Sequence, residues 1–189
     1  MKIFDSSEIL DLLRETGDAQ YSGEPVSQIE HAWQCGQLAL QAGASAPLQL
    51  ASWLHDIGHL MVGWAGTPTL RGEDDEHEAQ GARLLKRLWG TAVAEPVRLH
   101  VAAKRYLVTK NPAYFEKLSE DSLRSLQLQG GMMTHAQLLQ FESSAYARDT
   151  LQLRVWDDQG KVSGWFAPSK AQALQQLEGL MRSVPRATA

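Results

Sequence analysis

A single cysteine, Cys35, stands among 189 residues, so no disulfide can form within the chain and a reducing cytoplasm is the expected compartment. No stretch approaches the roughly 20 uninterrupted apolar residues that a membrane-spanning helix needs, so no membrane partner is expected. The opening residues, MKIFDSSEILDLLRE, place acids where a secretion signal would be apolar, and no small-residue cleavage site follows. Basic residues are scattered and the net charge is -4, which leaves no cationic stripe to attract nucleic acid. Alternating strand patterns are nearly absent, and neither repeats nor low-complexity runs are found. What remains is a globular balance, 43% hydrophobic and 21% charged. The length suits one domain over residues 1–189 with a small-molecule substrate.

Helical patterns fill the chain. Asp5 and Glu8 have the spacing of a capping box before Ile9, Leu10, Leu12 and Leu13. Pro25 stands where a first-turn proline would open a second helix running to Gly43, and Pro47 opens a third, weakened near its end by Gly58. Residues 63–75 read as a loop, and residues 76–89 return to helical periodicity. Further helices are expected over 93–107, 114–118, 121–128, 134–142, 145–156 and 169–182, with a frayed tail from Val184 to Ala189. The fold class that follows is all-α.

Five of the six histidines carry the chemical signal: His31, His55, His59, His77 and His100. Four of them sit on four successive helices. Asp56 follows His55 inside the apolar run Leu54-His55-Asp56-Ile57, where a buried carboxylate needs a cation or strong hydrogen bonds. Any one of these residues alone reads as structural, because histidine and aspartate also satisfy each other and cap helices. Their co-occurrence does not, since histidine is a poor core filler. Imidazole and carboxylate together suit iron, manganese or zinc, and helix bundles build such sites from side chains on facing helices. Asp157 is the best further acid, with Asp158 beside it as a rival. His135, at a helix start, is assigned to the surface, and the tryptophans mostly to the core.

At these positions the sequence resembles the HD-domain superfamily, whose H…HD…D pattern appears as His31, His55-Asp56 and Asp157. His77 and His100, the loop from Tyr21 to Pro25, His59 one turn after His55, and Lys104 one turn after His100 narrow the likeness. Together they resemble the mixed-valent di-iron oxygenases, most closely the branch of 2-amino-1-hydroxyethylphosphonate dioxygenase and, distantly, myo-inositol oxygenase. The likeness spans residues 20–160. It implies an HD-domain helical bundle with two iron ions, Fe(II)/Fe(III), per chain and dioxygen as co-substrate. One iron would be bound by His31, His55, Asp56 and Asp157, the other by Asp56, His77 and His100, with Asp56 as the bridge. Tyr21, paired with Glu24, would cover the second iron until substrate displaces it. His59, Lys104, Ser122, Ser125 and Arg154 would hold the phosphonate.

The substrate that the likeness implies is a 1-hydroxy-2-(amino or trimethylamino)ethylphosphonate, cleaved to phosphate and glycine or glycine betaine. Glu73-Asp74-Asp75-Glu76 could face its cationic nitrogen, and Trp33 or Trp64 a quaternary ammonium; each also has a plain reading, as a solvated loop or as core. Two rivals share the metal ligands: an HD phosphohydrolase acting on a nucleotide or small phosphate ester, and a non-catalytic module stabilised by metal. Tyr21 with Glu24 favours the oxygenase, because neither rival needs a gate.

Overall fold

The computed structural model describes residues 5–21, 23–62, 71–72 and 74–187. Ser22, Trp64 and Glu73, which figure in the expectations above, lie outside the described residues, as do residues 188–189. Among the described residues the chain is all-helical, with one isolated antiparallel bridge between Gln20 and Ser27. None of the helices is long and apolar enough to cross a membrane.

Eleven helices follow one another among the described residues: α1 Ser6–Thr16, α2 Gln28–Gln41, α3 Ala46–Leu54, α4 Ile57–Val62, α5 His77–Trp89, α6 Thr91–Lys110, α7 Pro112–Phe115, α8 Glu120–Leu128, α9 His135–Glu142, α10 Ala147–Gln159 and α11 Lys170–Ser183. The capping box expected at Asp5 and Glu8 is formed. The second helix starts later than Pro25 suggests, because Ser27 and Glu30 form a reciprocal box that satisfies two otherwise orphaned backbone donors. Pro25 is left in the preceding loop. The third helix stops at Leu54, and the break before α4 carries His55 and Asp56. Residues 112–115 form a single turn capped by Asn111, three residues short of the expected segment.

The main core is one large cluster, with a smaller one where Leu99 and Ala103 of α6 meet Met133 and Phe141. Ile9, Ile29, Leu50, Leu54, Leu85, Leu153 and Leu177 are fully enclosed, drawn from six helices. Long α6 packs along α5, α10 and α3, and α2 packs on α3 and α10, so the helices bearing the histidines surround one interior. Trp33, Trp53, Trp89 and Trp156 are buried in it, as expected of large aromatics, and Trp165 is half-buried. The tail is docked rather than frayed through residue 187: Val184 is buried, Arg186 stacks over Trp89, and the Ala187 amide donates to the Leu88 carbonyl.

Two glycines permit close approaches that the site depends on. A Cβ at Gly58 would lie 2.0 Å from the His77 carbonyl oxygen, and one at Gly160 would lie 2.6 Å from Cys35 Sγ. Gly58 therefore lets α4 touch the start of α5, and Gly160 lets the end of α10 rest on α2. Where α5 begins, Glu76 adopts a left-handed backbone at φ 48°, an uncommon conformation for a residue with a Cβ.

Candidate metal centre

Four imidazoles and two carboxylates converge inside the bundle. His31 comes from α2, His55 and Asp56 from the α3–α4 break, His77 from the first position of α5, His100 from the middle of α6 and Asp157 from α10. All six are buried.

Each imidazole is aimed by its Nδ1. His55 Nδ1 lies 2.9 Å from the Ser52 carbonyl, His100 Nδ1 2.7 Å from the Val97 carbonyl, and His31 Nδ1 2.8 Å from the Gly160 carbonyl. A carbonyl only accepts, so in these three rings Nδ1 carries the proton and Nε2 presents a lone pair. His77 Nδ1 is held 2.9 Å from Asp75 Oδ1, with the same result. Ligand histidines are oriented in this way in metal sites generally.

The Nε2 atoms then meet in two pairs across one carboxylate. His31 and His55 Nε2 are 3.3 Å apart and lie 3.6 and 3.4 Å from Asp56 Oδ2. His77 and His100 Nε2 are 3.1 Å apart and lie 3.4 and 3.6 Å from Asp56 Oδ1. With lone pairs on both members, each pair is repulsive unless a proton or a metal cation stands between them. Against its burial, the Asp56 and Asp157 carboxylates hold His55 up at about 9, so a proton fills that place in the first pair when no metal does. Asp157 faces the first pair: its Oδ1 lies 3.5 Å from His31 Nε2, 3.7 Å from His55 Nε2, and is buried without a hydrogen bond. An orphaned carboxylate oxygen beside two imidazole lone pairs fits a metal ion. Asp158 points elsewhere, to Tyr114 and Arg154, which separates it from its neighbour.

Cys35 also approaches the first pair, with Sγ 3.7 Å from His31 Nε2. Burial pushes its thiol well above the ordinary range, and it donates to the Trp156 carbonyl, so it stays a protonated core residue. Burial likewise drives His31 down to about 4 and His100 well below its ordinary value. Both rings are thereby kept neutral, as ligands must be.

Tyr21 is buried beside this cluster. Its hydroxyl donates to Asp56 Oδ2 at 2.7 Å, and its ring stacks on His31 at 3.9 Å between centroids. The Glu24 side chain does not meet the Tyr21 hydroxyl. It pairs with Lys161 Nζ at 3.1 Å, and that ammonium lies 5.5 Å from the centre of the Tyr21 ring. Lys161 escapes sequence reasoning because its only local signal is a lysine four residues after Asp157.

A narrow cleft, partly open to solvent, leads to the second histidine pair and is lined by His59, Lys104, Ser122, Ser125, Arg154 and Lys161. All five residues expected to hold the phosphonate therefore line one cleft together with Asp56, His77, His100 and Asp157. Burial pulls Lys104 down to about 7, with Arg154 adding to the shift, and its Nζ donates to Ser125 Oγ at 2.6 Å. Arg154 is fastened by Tyr114, whose hydroxyl accepts from Nε at 2.9 Å, and by Asp157 Oδ2 at 2.5 Å. Asp75, expected in a solvated loop, is instead buried and shared: Oδ2 holds His59 Nδ1 at 2.5 Å while Oδ1 holds His77. Asp74 is exposed on the cleft rim. Trp33 packs against Trp165 and Phe166 and does not line this cleft. His135 is exposed, as expected.

No protein-family model matches the chain. Similar curated proteins exist. A hydroxymethylphosphonate dioxygenase from Gimesia maris is 38% identical over 176 residues, covering 93% of this chain and 87% of the relative. A 1-hydroxy-2-(trimethylamino)ethylphosphonate dioxygenase (glycine-betaine-forming) from Leisingera caerulea is 39% identical over 152 residues, 80% of this chain and 78% of the relative. An uncharacterized protein of Acanthamoeba polyphaga mimivirus is 35% identical over 156 residues, 82% of this chain and 71% of the relative.

Proposed function

The chain belongs to the family of phosphonate dioxygenases represented by the Gimesia and Leisingera enzymes, and from that premise we propose that it cleaves the carbon–phosphorus bond of a small 1-hydroxyalkylphosphonate with dioxygen, releasing phosphate. We assign the metal as a pair of irons, Fe(II)/Fe(III). His31, His55, Asp56 and Asp157 would hold one, and Asp56, His77 and His100 would hold the other. The observation that carries this reading is the pairing of imidazole lone pairs at 3.3 and 3.1 Å on opposite oxygens of one buried carboxylate. When bound, such a pair supplies the redox chemistry that dioxygen requires.

The remaining residues bind, orient and exclude. Lys104, Arg154 and His59 offer positive charge and N–H donors to a dianionic phosphonate, and Ser122 and Ser125 add hydroxyls. Tyr114 and Asp158 keep the Arg154 guanidinium fixed, so less rotamer entropy is lost when an anion binds. Tyr21 donates to Asp56 Oδ2, the oxygen that faces the first pair, and stacks on His31, so it covers the cluster from that side and not over the second pair as expected; substrate entering along the cleft must displace it. The gate thus limits oxygen chemistry in the absence of substrate.

The carbon end of the substrate is the open choice. The two named relatives differ there, one acting on hydroxymethylphosphonate and the other on a trimethylammonium compound. We propose three candidates: hydroxymethylphosphonate, which with one dioxygen gives phosphate and formate, and the 2-amino and 2-trimethylamino 1-hydroxyethylphosphonates, which give glycine and glycine betaine. A deciding assay loads the protein with Fe(II) anaerobically, adds each candidate, then admits oxygen and measures phosphate. Phosphate formed without oxygen would reassign the site to hydrolysis.

A further inference from the structure

Lys161 has no role in the reading above, yet it sits where the gate and the anion pocket meet. Its ammonium lines the same cleft as Lys104, Arg154, Ser122 and Ser125. It is mostly buried, as is its partner Glu24, with side chains 14% and 13% exposed. Its backbone is fixed from below: Gly160, whose missing Cβ lets α10 end against Cys35, hands its carbonyl to His31. The lysine thus projects from a rigid point toward a loop.

That loop is internally tied. The Glu24 amide donates to the Tyr21 carbonyl at 2.7 Å, the Tyr21 amide to the Val26 carbonyl at 3.0 Å, and the Gln28 amide to the Ala19 carbonyl at 2.9 Å. The bond from the Glu24 amide to the Tyr21 carbonyl couples the two residues through the main chain.

We propose that Lys161 is a positioning residue that exchanges partners, pairing with Glu24 when the gate is closed and with the substrate's phosphonate when it opens. This rests on reading the cleft as a phosphonate site. A dianion entering beside Lys104 and Arg154 outcompetes a single carboxylate for the third cation. Glu24 then loses the ammonium that compensates its burial, an unfavourable state relieved by moving the turn, and Tyr21 leaves with it. Anion binding and gate opening become one event, coupled through a single ammonium.

The test uses metal-loaded protein kept anaerobic, with inorganic phosphate as the probe. Lys161→Met should speed amide exchange at residues 20–28 and weaken phosphate binding about tenfold, the loss expected for one charge-assisted contact. Glu24→Gln should also speed that exchange, yet tighten phosphate binding severalfold, because Lys161 is released from competition. Lys161→Arg should restore both readouts toward wild type. A structural role alone would not move affinity in opposite directions from the same loosening. Unchanged exchange in both variants, or affinity shifts of the same sign, overturns the proposal. If no hydroxyphosphonate is turned over while the opposite shifts persist, the exchange stands and the assigned reaction falls.

Discussion

Asp56 is the residue on which both histidine pairs depend, because each of its oxygens serves one pair. Asp56→Ala should abolish metal loading and activity together, and an iron analysis finding two ions in that variant would refute the bridge. Tyr21→Phe keeps the ring on His31 but removes the donor to Asp56, so it should retain metal and consume oxygen faster without substrate; unchanged background consumption would remove the gate. Lys104 illustrates function set against stability. Its folded value, pulled down to about 7, lies below its unfolded value near 10.5. Between those limits the unfolded chain binds more protons, so stability rises with pH there, and the burial cost is largest below about pH 7. Lys104→Met should therefore stabilise metal-free protein at pH 6, by on the order of a few kcal/mol, while weakening phosphate binding. Thermal unfolding at pH 6 and pH 10 checks the sign: the gain should be much smaller at pH 10.

At the scale of elements, the two glycine contacts set the distances between ligand-bearing helices. Gly58→Ala forces α4 away from α5 and should cost about 1–3 kcal/mol, with a loss of metal at the second pair before the first. Metal titration followed spectroscopically would show the order. These elements were largely legible beforehand, for a physical reason: helices announce themselves through 3.6-residue periodicity and caps, and polar rings repeated on the inner faces of apolar helices are too costly to be filler. The errors fall where local signals compete. Pro25 yielded the helix start to the Ser27–Glu30 box, and the third helix broke at the dipeptide that carries the chemistry. Lys161 stayed hidden because Glu24 lies 137 residues away, a separation that no local pattern encodes; Asp75 stands two residues before His77, but its second partner, His59, lies 16 residues away.

For the molecule as a whole, the site joins residues 31 through 157, so binding of metal should stabilise the entire bundle rather than one hairpin. An ion present at a hundredfold excess over its dissociation constant adds about 2.7 kcal/mol. Removing each should lower the melting temperature by about 5–10 °C in a chain of this size. A chelator series followed by calorimetry would test this, and an unchanged midpoint would argue against an interior site. The aim of His31, His55 and His100 comes from main-chain oxygens. No point mutation can delete such an acceptor, so the surrounding side chains are free to diverge over evolutionary time while these rings keep their heading. Among the four ligand histidines His77 alone is steered by a side-chain carboxylate, which a single substitution at Asp75 removes.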